Sequence, residues 1–251
     1  MAEQAHKRAW ITGAGTGIGR ALAKRLAEQG WDVAISARTA RDLDSLAAEV
    51  PGRITAFQLD VTDEAANQET VQRIEESLGP LDLVVFNAGT YFPVTANKFS
   101  AENFRKTMDV NLNGTANGLN AVLPRMIGRR SGHIMLMASV AGFIGFPNAS
   151  TYSASKAALN ALAQSLKVEL EPFDVALSVI NPGFVKTPLT DKNDFPMPFL
   201  IPVDEAVDAI MQGIQRRKYE IIFPWQMAVL MKLLRILPQS LLFAITRRMV
   251  R

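Results

Sequence analysis

The stretch RAWITGAGTGIGRALAKRL, residues 8–26, decides the fold. Arg8 to Thr12 reads as a short buried strand, four glycines follow at Gly13, Gly15, Gly17 and Gly19, and the spacing of Ala21, Leu22 and Leu26 then reads as helix. Glycines are needed where a backbone turns tightly and comes close to a pyrophosphate, and a helix's first N–H groups and dipole favour an anion there. Gly13, Thr16, Gly17, Ile18 and Gly19 are therefore expected to hold phosphate. The GxxxxGK[ST] pattern is absent, so a dinucleotide fits better than a nucleoside triphosphate; a merely tight strand-to-helix turn is the bland alternative.

Outward from this turn the alternation continues. Strands are predicted at Arg8 to Thr12, Asp32 to Ala37, Arg53 to Leu59, Leu81 to Asn87, His133 to Ala138, Val175 to Ile180 and Tyr219 to Phe223. Between them helical spacing covers Ile18 to Gln29, Ala40 to Glu49, Glu64 to Leu78, one long helix Ala101 to Ile127, Thr151 to Glu171 and Asp204 to Arg216. Alternating strands and helices, with strands that are continuously apolar, predict an α/β fold: one Rossmann-type doubly wound parallel sheet of seven strands, helices on both faces. Without repeat or linker, residues 1–223 read as one domain, and residues 224–251 as its hydrophobic, basic helical extension.

At 251 residues, 48% hydrophobic and 20% charged, the chain can bury a core and is not disordered. It has no cysteine, which removes disulfides and thiolate sites and fits a cytoplasmic setting; no secretory signal is visible. Residues 215–251 are formally +7 within a chain of net +3, so the rest is −4, and a nucleic-acid partner is not expected. His6 and His133 have no companions at ligand spacing, and no metal is predicted.

The end of the second strand speaks to the cofactor. Where an acidic residue would hold the ribose hydroxyls of NAD stand Ser36, Ala37, Arg38 and Arg41. A 2′-phosphate would gain charge-assisted bonds from Arg38, so NADP is expected over NAD; solvation of the next helix is the alternative role for Arg38 and Arg41, and Arg20 is equally open. Downstream, Tyr152 and Lys156 share one helix face, and Ser139 ends the fifth strand at the ligand-binding edge of the sheet. An ammonium about 4 Å from a phenol contributes roughly 4 kcal/mol at an effective dielectric of 20, enough to lower a pKa of about 10 by up to about three units. Tyr152 could then exchange protons while Ser139 polarises a carbonyl.

These residues resemble the short-chain dehydrogenase/reductase family, over nearly the whole chain to about residue 223. Thr12, Gly13, Gly17 and Gly19 look like its TGxxxGxG turn, and Asn87, Ala88 and Gly89 like its NAG segment, with Phe86 replacing the first Asn of the usual NNAG. Asn111, Ser139, Tyr152 and Lys156 look like its catalytic tetrad, Pro182, Gly183 and Thr187 like its PG motif beside the nicotinamide, and Asp60 and Val61 like the pair flanking the adenine. The resemblance implies hydride transfer between nicotinamide and a carbonyl or alcohol carbon. Tyr152 would exchange the proton, Lys156 would also hold the nicotinamide ribose, Asn111 would support a water relay, and the assembly would be a homodimer or homotetramer. A catalytically silent NADP-binding sensor or scaffold is the competing function. Isomerase or epimerase chemistry is a poorer third, because about 70 residues after Pro182 leave little for a substrate domain.

Substrate choice is expected from Tyr91 to Val94, Phe143 to Phe146 and the Thr187 to Pro202 connection; Phe184, Leu189, Phe195, Met197, Phe199 and Leu200 suggest a lipophilic small molecule, with ordinary packing under a loop as the alternative. After Pro224, apolar residues alternate with Lys232, Arg235, Arg247 and Arg248, divided by Pro238. Three roles stand open for this tail: peripheral contact with a membrane surface, a subunit interface, or docking on the protein's own fold.

Overall fold

The computed structural model describes residues 6–250. Its centre is a seven-stranded parallel sheet in the order β3-β2-β1-β4-β5-β6-β7. The strands are β1 (Arg8–Thr12), β2 (Asp32–Ala37), β3 (Ile54–Gln58), β4 (Leu83–Phe86), β5 (Gly132–Met137), β6 (Val175–Pro182) and β7 (Glu220–Phe223). All seven fall where the sequence predicts them, β1 and β2 with the predicted bounds and the others with ends shifted by at most two residues. Period-two alternation sorts their side chains between two cores. Ala9 and Ile11 of β1 join a cluster with helices α1 (Gly17–Glu28), α2 (Ala40–Glu49) and α7 (Val203–Arg216), whereas Trp10 faces the opposite layer. That layer is built from α3 (Glu64–Leu78), α5 (Gly114–Arg129) and α6 (Ser150–Leu170).

The predicted single helix from 101 to 127 is corrected in one respect. It begins as α4 (Ala101–Met108), winds through a π-helical turn over Asp109–Asn113, and resumes as α5. A π turn inserts one residue into the helical ladder, a device found often at functional sites, and here it carries Asn111 inward to complete burial. Phe86, the departure from the NNAG pattern, is buried edge-on to Trp10 with centroids 5.9 Å apart, and its ring lies against the backbone of Gly118 in α5. An asparagine there would give up this apolar contact.

The tail forms two helices, α8 (Trp225–Ile236) and α9 (Gln239–Thr246), separated at Leu237 and Pro238. Met227, Met231, Leu234 and Leu242 are buried in a third cluster with Val140, Phe143, Ile144, Phe146 and Phe184. Of the three roles open to the tail, docking on its own fold is thus realised by one of its faces.

His133, second residue of β5, is buried at the amino-terminal edge of the sheet. Its Nε2 lies 2.7 Å from the Ser178 hydroxyl, and because that hydroxyl donates to Lys218 O at 2.7 Å, the ring nitrogen is the donor. Burial, reinforced by Arg217, pushes its pKa down to about 4. The unfolded chain therefore takes up a proton near pH 6.5 that the native state refuses until near pH 4. This contribution to stability is intact above the first value and lost as pH falls to the second. Between pH 7 and about pH 4.5, urea unfolding of the wild type should lose about 2 kcal/mol more than that of His133→Gln.

Candidate active site

The carboxyl ends of β1, β2, β4, β5 and β6 open onto one cleft of about 500 Å³. The glycine turn forms one end. Gly13 has φ +65°, and a Cβ there would lie 2.6 Å from Ala88 Cα. Gly19 is closed off in a different way: a Cβ would strike the Asn87 amide and Gly13 O. Gly19 accordingly has no room for a side chain, which lets α1 press against the turn after β4. Gly13, Thr16, Gly17 and Ile18 do line the cleft, at the amino-terminal end of α1.

Asn87, Ala88 and Gly89 lie on the wall beside them. The Asn87 amide donates to Thr12 O and Gly13 O, both at 3.0 Å, and the backbone N–H groups of Asn87 and Ala88 donate to Thr12 Oγ1 at 3.1 Å. This residue therefore ties two turns together as well as bordering the cavity. Asp60 and Val61 line the adjoining wall. Asp60 Oδ1 accepts from Thr62 N at 3.0 Å and Thr62 Oγ1 at 2.8 Å, which, with Arg38 nearby, holds its carboxyl below the ordinary range.

Arg38 lines the cleft, its backbone carbonyl held by Gln58 Nε2 at 2.8 Å, and among the described residues no carboxylate forms a salt bridge with its guanidinium. Arg41 does not line the cleft; it stands exposed, 3.9 Å from Asp42. The sequence reading that no carboxylate reaches this wall is corrected by Asp42, which lies there from the first turn of α2 against Gly15. Spacing concealed it, because helical phase rather than distance along the chain brings it round. Arg20 resolves as structural: it donates to Asp42 O at 2.9 Å and to Glu49 Oε1 at 2.5 Å, bracing α2 against α1.

At the other end Ser139, Tyr152 and Lys156 converge, joined on the wall by Pro182, Gly183 and Thr187. The Ser139 hydroxyl donates to Pro182 O at 3.3 Å and accepts from Ala141 N at 3.1 Å, while also hydrogen bonding with Tyr152. Lys156 is buried, donates to Met137 O at 2.7 Å, and sits 5.5 Å from the centre of the Tyr152 ring. Burial lowers its pKa to about 7, and burial raises that of the Tyr152 phenol to about 12, against the pull of Ser139. The expected acidification of Tyr152 by Lys156 is thus reversed in sign: desolvation acts on both groups, and an amine that is half neutral near pH 7 exerts only part of its field.

Asn111 is off the cleft wall. Its Oδ1 accepts from Thr90 N at 2.7 Å, and its Nδ2 donates to Thr90 O at 3.1 Å and to Ser155 Oγ at 3.0 Å. Ser155 in turn donates to Tyr152 O at 2.8 Å. Asn111 therefore positions the Gly89-Thr90 turn relative to the helix bearing Tyr152, and Ser155 is the partner that sequence reasoning missed. Tyr91 packs edge-on to Tyr152 with centroids 5.2 Å apart. The connection after Thr187 is a loop clasped at its neck by Lys186 N to Ile201 O at 2.9 Å and Ile201 N to Phe184 O at 3.1 Å. Within it Leu189, Thr190 and Lys192 line the cleft, whereas Phe143 to Phe146 turn away to meet α8. Among the described residues no cluster of three metal-ligating side chains occurs.

Comparison with known proteins agrees with this geometry. Residues 7–196 match the short chain dehydrogenase family. The chain is 40% identical to an uncharacterized oxidoreductase of Myxococcus xanthus, over 99% of this chain and 100% of that one. It is 34% identical to the 3-oxoacyl-[acyl-carrier-protein] reductase of Thermotoga maritima, over 72% of this chain and 75% of that one. A short-chain dehydrogenase/reductase of Burkholderia phymatum, solved in complex with NAD, superposes with TM-score 0.83 at 26% identity, covering 92% of this chain and 94% of that one. The chain belongs to the short-chain dehydrogenase/reductase family of nicotinamide-dependent oxidoreductases.

Proposed function

We propose that this oxidoreductase transfers a hydride between NADP(H) and the carbonyl or secondary alcohol of a hydrophobic small molecule, with Tyr152 as general acid and base. The observation that carries this reading is the meeting of Ser139, Tyr152 and Lys156 in the same cleft as the glycine turn. The residues present fit a dinucleotide: Gly13, Gly15 and Gly17 border the cleft with backbone alone, and the first turn of α1 faces it. Gly13, Thr16, Gly17 and Ile18 would hold the pyrophosphate, Asp60 and Val61 the adenine, Arg38 the 2′-phosphate, and Asn87, Ala88, Gly89, Pro182, Gly183 and Thr187 the nicotinamide half. When bound, the nucleotide supplies or accepts the hydride.

The protein's own part is proton management and orientation. Burial keeps the Tyr152 phenol protonated through the neutral range, so in the reducing direction it is a ready donor to a carbonyl oxygen, which Ser139 would help to hold. Lys156, when charged, lowers the cost of that donation. Because its pKa lies at about 7, carbonyl reduction should decline as pH rises through that region, and residual turnover of Lys156→Arg should lack this limb, since a guanidinium does not titrate there. Tyr152→Phe should lose at least about 100-fold in kcat while binding NADPH as the wild type does. Normal turnover by that variant would sink the mechanism, and an inactive wild type that binds NADPH would favour the sensor.

An apolar substrate is supported by Tyr91 against Tyr152 and by Val185 and Leu189 on the cleft wall. One observation favours NAD instead: Asp42 shares the wall with Arg38, and a carboxylate there could accept from ribose hydroxyls. Parallel titrations distinguish the two. Arg38→Ser should weaken NADPH about tenfold or more and leave NADH unchanged; loss of NADH binding in Asp42→Asn, with NADPH indifferent to Arg38, would establish the second reading.

A further inference from the structure

We propose that the outward face of the α8–α9 pair is a docking surface for an anionic lipid bilayer. Helix α8 is apolar on two opposite sides. Met227, Met231 and Leu234 point inward and are buried. Trp225, Val229, Leu233 and Ile236 fall four, four and three residues apart, which returns them to one helix face, the one pointing away. Trp225 is 71% and Ile236 76% exposed, and α9 continues the apolar display with Leu241, Phe243 and Ile245. Large apolar side chains gathered in this number on two successive helices mark an interaction surface rather than ordinary solvent-facing residues.

Charge decides the occupant. No acidic residue follows Glu220, while Lys232, Arg235, Arg247 and Arg248 are interleaved with the apolar ones. Lys232 lies 2.7 Å from Glu220 and Arg235 stacks 5.7 Å from the centre of the Phe143 ring, so the exposed Arg247 and Arg248 provide most of the cationic field. A second copy meeting this face through a twofold axis would bring the same cations together. A bilayer with acidic headgroups accepts both components, apolar side chains at the acyl boundary and arginines among the phosphates. No helix among the described residues is long and apolar enough to cross a membrane, so the geometry is one of lying on the surface. This surface is separate from the cleft and does not depend on the chemistry proposed for it.

The test uses the full chain with phosphatidylglycerol–phosphatidylcholine vesicles and with phosphatidylcholine vesicles alone. Expected are sedimentation with the anionic vesicles, weakening as salt is raised, and a blue shift of tryptophan emission that Trp225→Phe removes. Leu233→Gln/Ile236→Gln should bind at least about tenfold more weakly, with unchanged cofactor affinity and circular dichroism. Arg247→Gln/Arg248→Gln provides a second, purely electrostatic reduction should the first variant misfold. Failure to sediment with anionic vesicles, equal binding to both vesicle types, or undiminished binding by both variants would overturn the proposal. So would a vesicle-free dimer that Leu233→Gln/Ile236→Gln abolishes, since it would identify a second copy as the occupant.

Discussion

Two turns must cross in contact at the carboxyl edge of the sheet, and the cleft exists because they can. The turn after β1 passes so close to the turn after β4 that a methyl group at Gly13 would sit 2.6 Å from Ala88 Cα. Steric tolerance alone would leave the crossing loose. The Asn87 amide closes it by donating to Thr12 O and Gly13 O, while the Thr12 hydroxyl accepts from the backbone of Asn87 and Ala88. Buried carbonyls at a strand end need partners, and here a single side chain satisfies two of them. With the crossing fixed, α1 starts where its dipole can act and Gly89 is delivered to the tetrad. A Cβ on Gly89 would lie 3.5 Å from Asn111 Oδ1 and 3.6 Å from Lys156 Nζ.

A second constraint is the burial of an amine. Lys156 is 3% exposed, and its hydrogen bond to Met137 O compensates desolvation only in part, which is why its pKa falls so far. Such a group destabilises the fold as pH drops through the range in which the unfolded chain ionises and the native state does not. Proteins retain burdens of this kind where chemistry needs a titratable group poised near neutrality. The tyrosine beside it shows the complementary effect, held neutral by the same loss of water.

Much of the fold was legible because its signals are local. Buried parallel strands are continuous apolar runs, Gly79 and Pro80 stop α3, and the glycine turn announces the first crossover. The residues grouped at the cleft were legible as motifs. What sequence could not report is competition among long-range partners. Arg20, Arg38 and Arg41 are one residue type within one region, yet one is consumed by Glu49, one faces the cleft and one stands in solvent. Asp42 escaped notice for the same reason, and Phe143 to Phe146 looked like a substrate wall until α8 claimed them. The tail's inner and outer stripes carry similar apolar residues, so composition alone could not say which one docks.

The loosened turn at Asp109–Asn113 has a consequence for how such a chain can vary in length. The widened turn takes up one residue more than an α-helical turn, so removing one from it would restore regular winding with the flanking helices left nearly in phase. What would change is local: Asn111, which the turn now aims at Thr90 N and Ser155 Oγ, would be turned out of that position. The segment from Ala101 to Arg129 thus behaves as a ruler with one odd graduation, whose loss would spare the packing of Gly118 on Phe86 and forfeit the aim of Asn111.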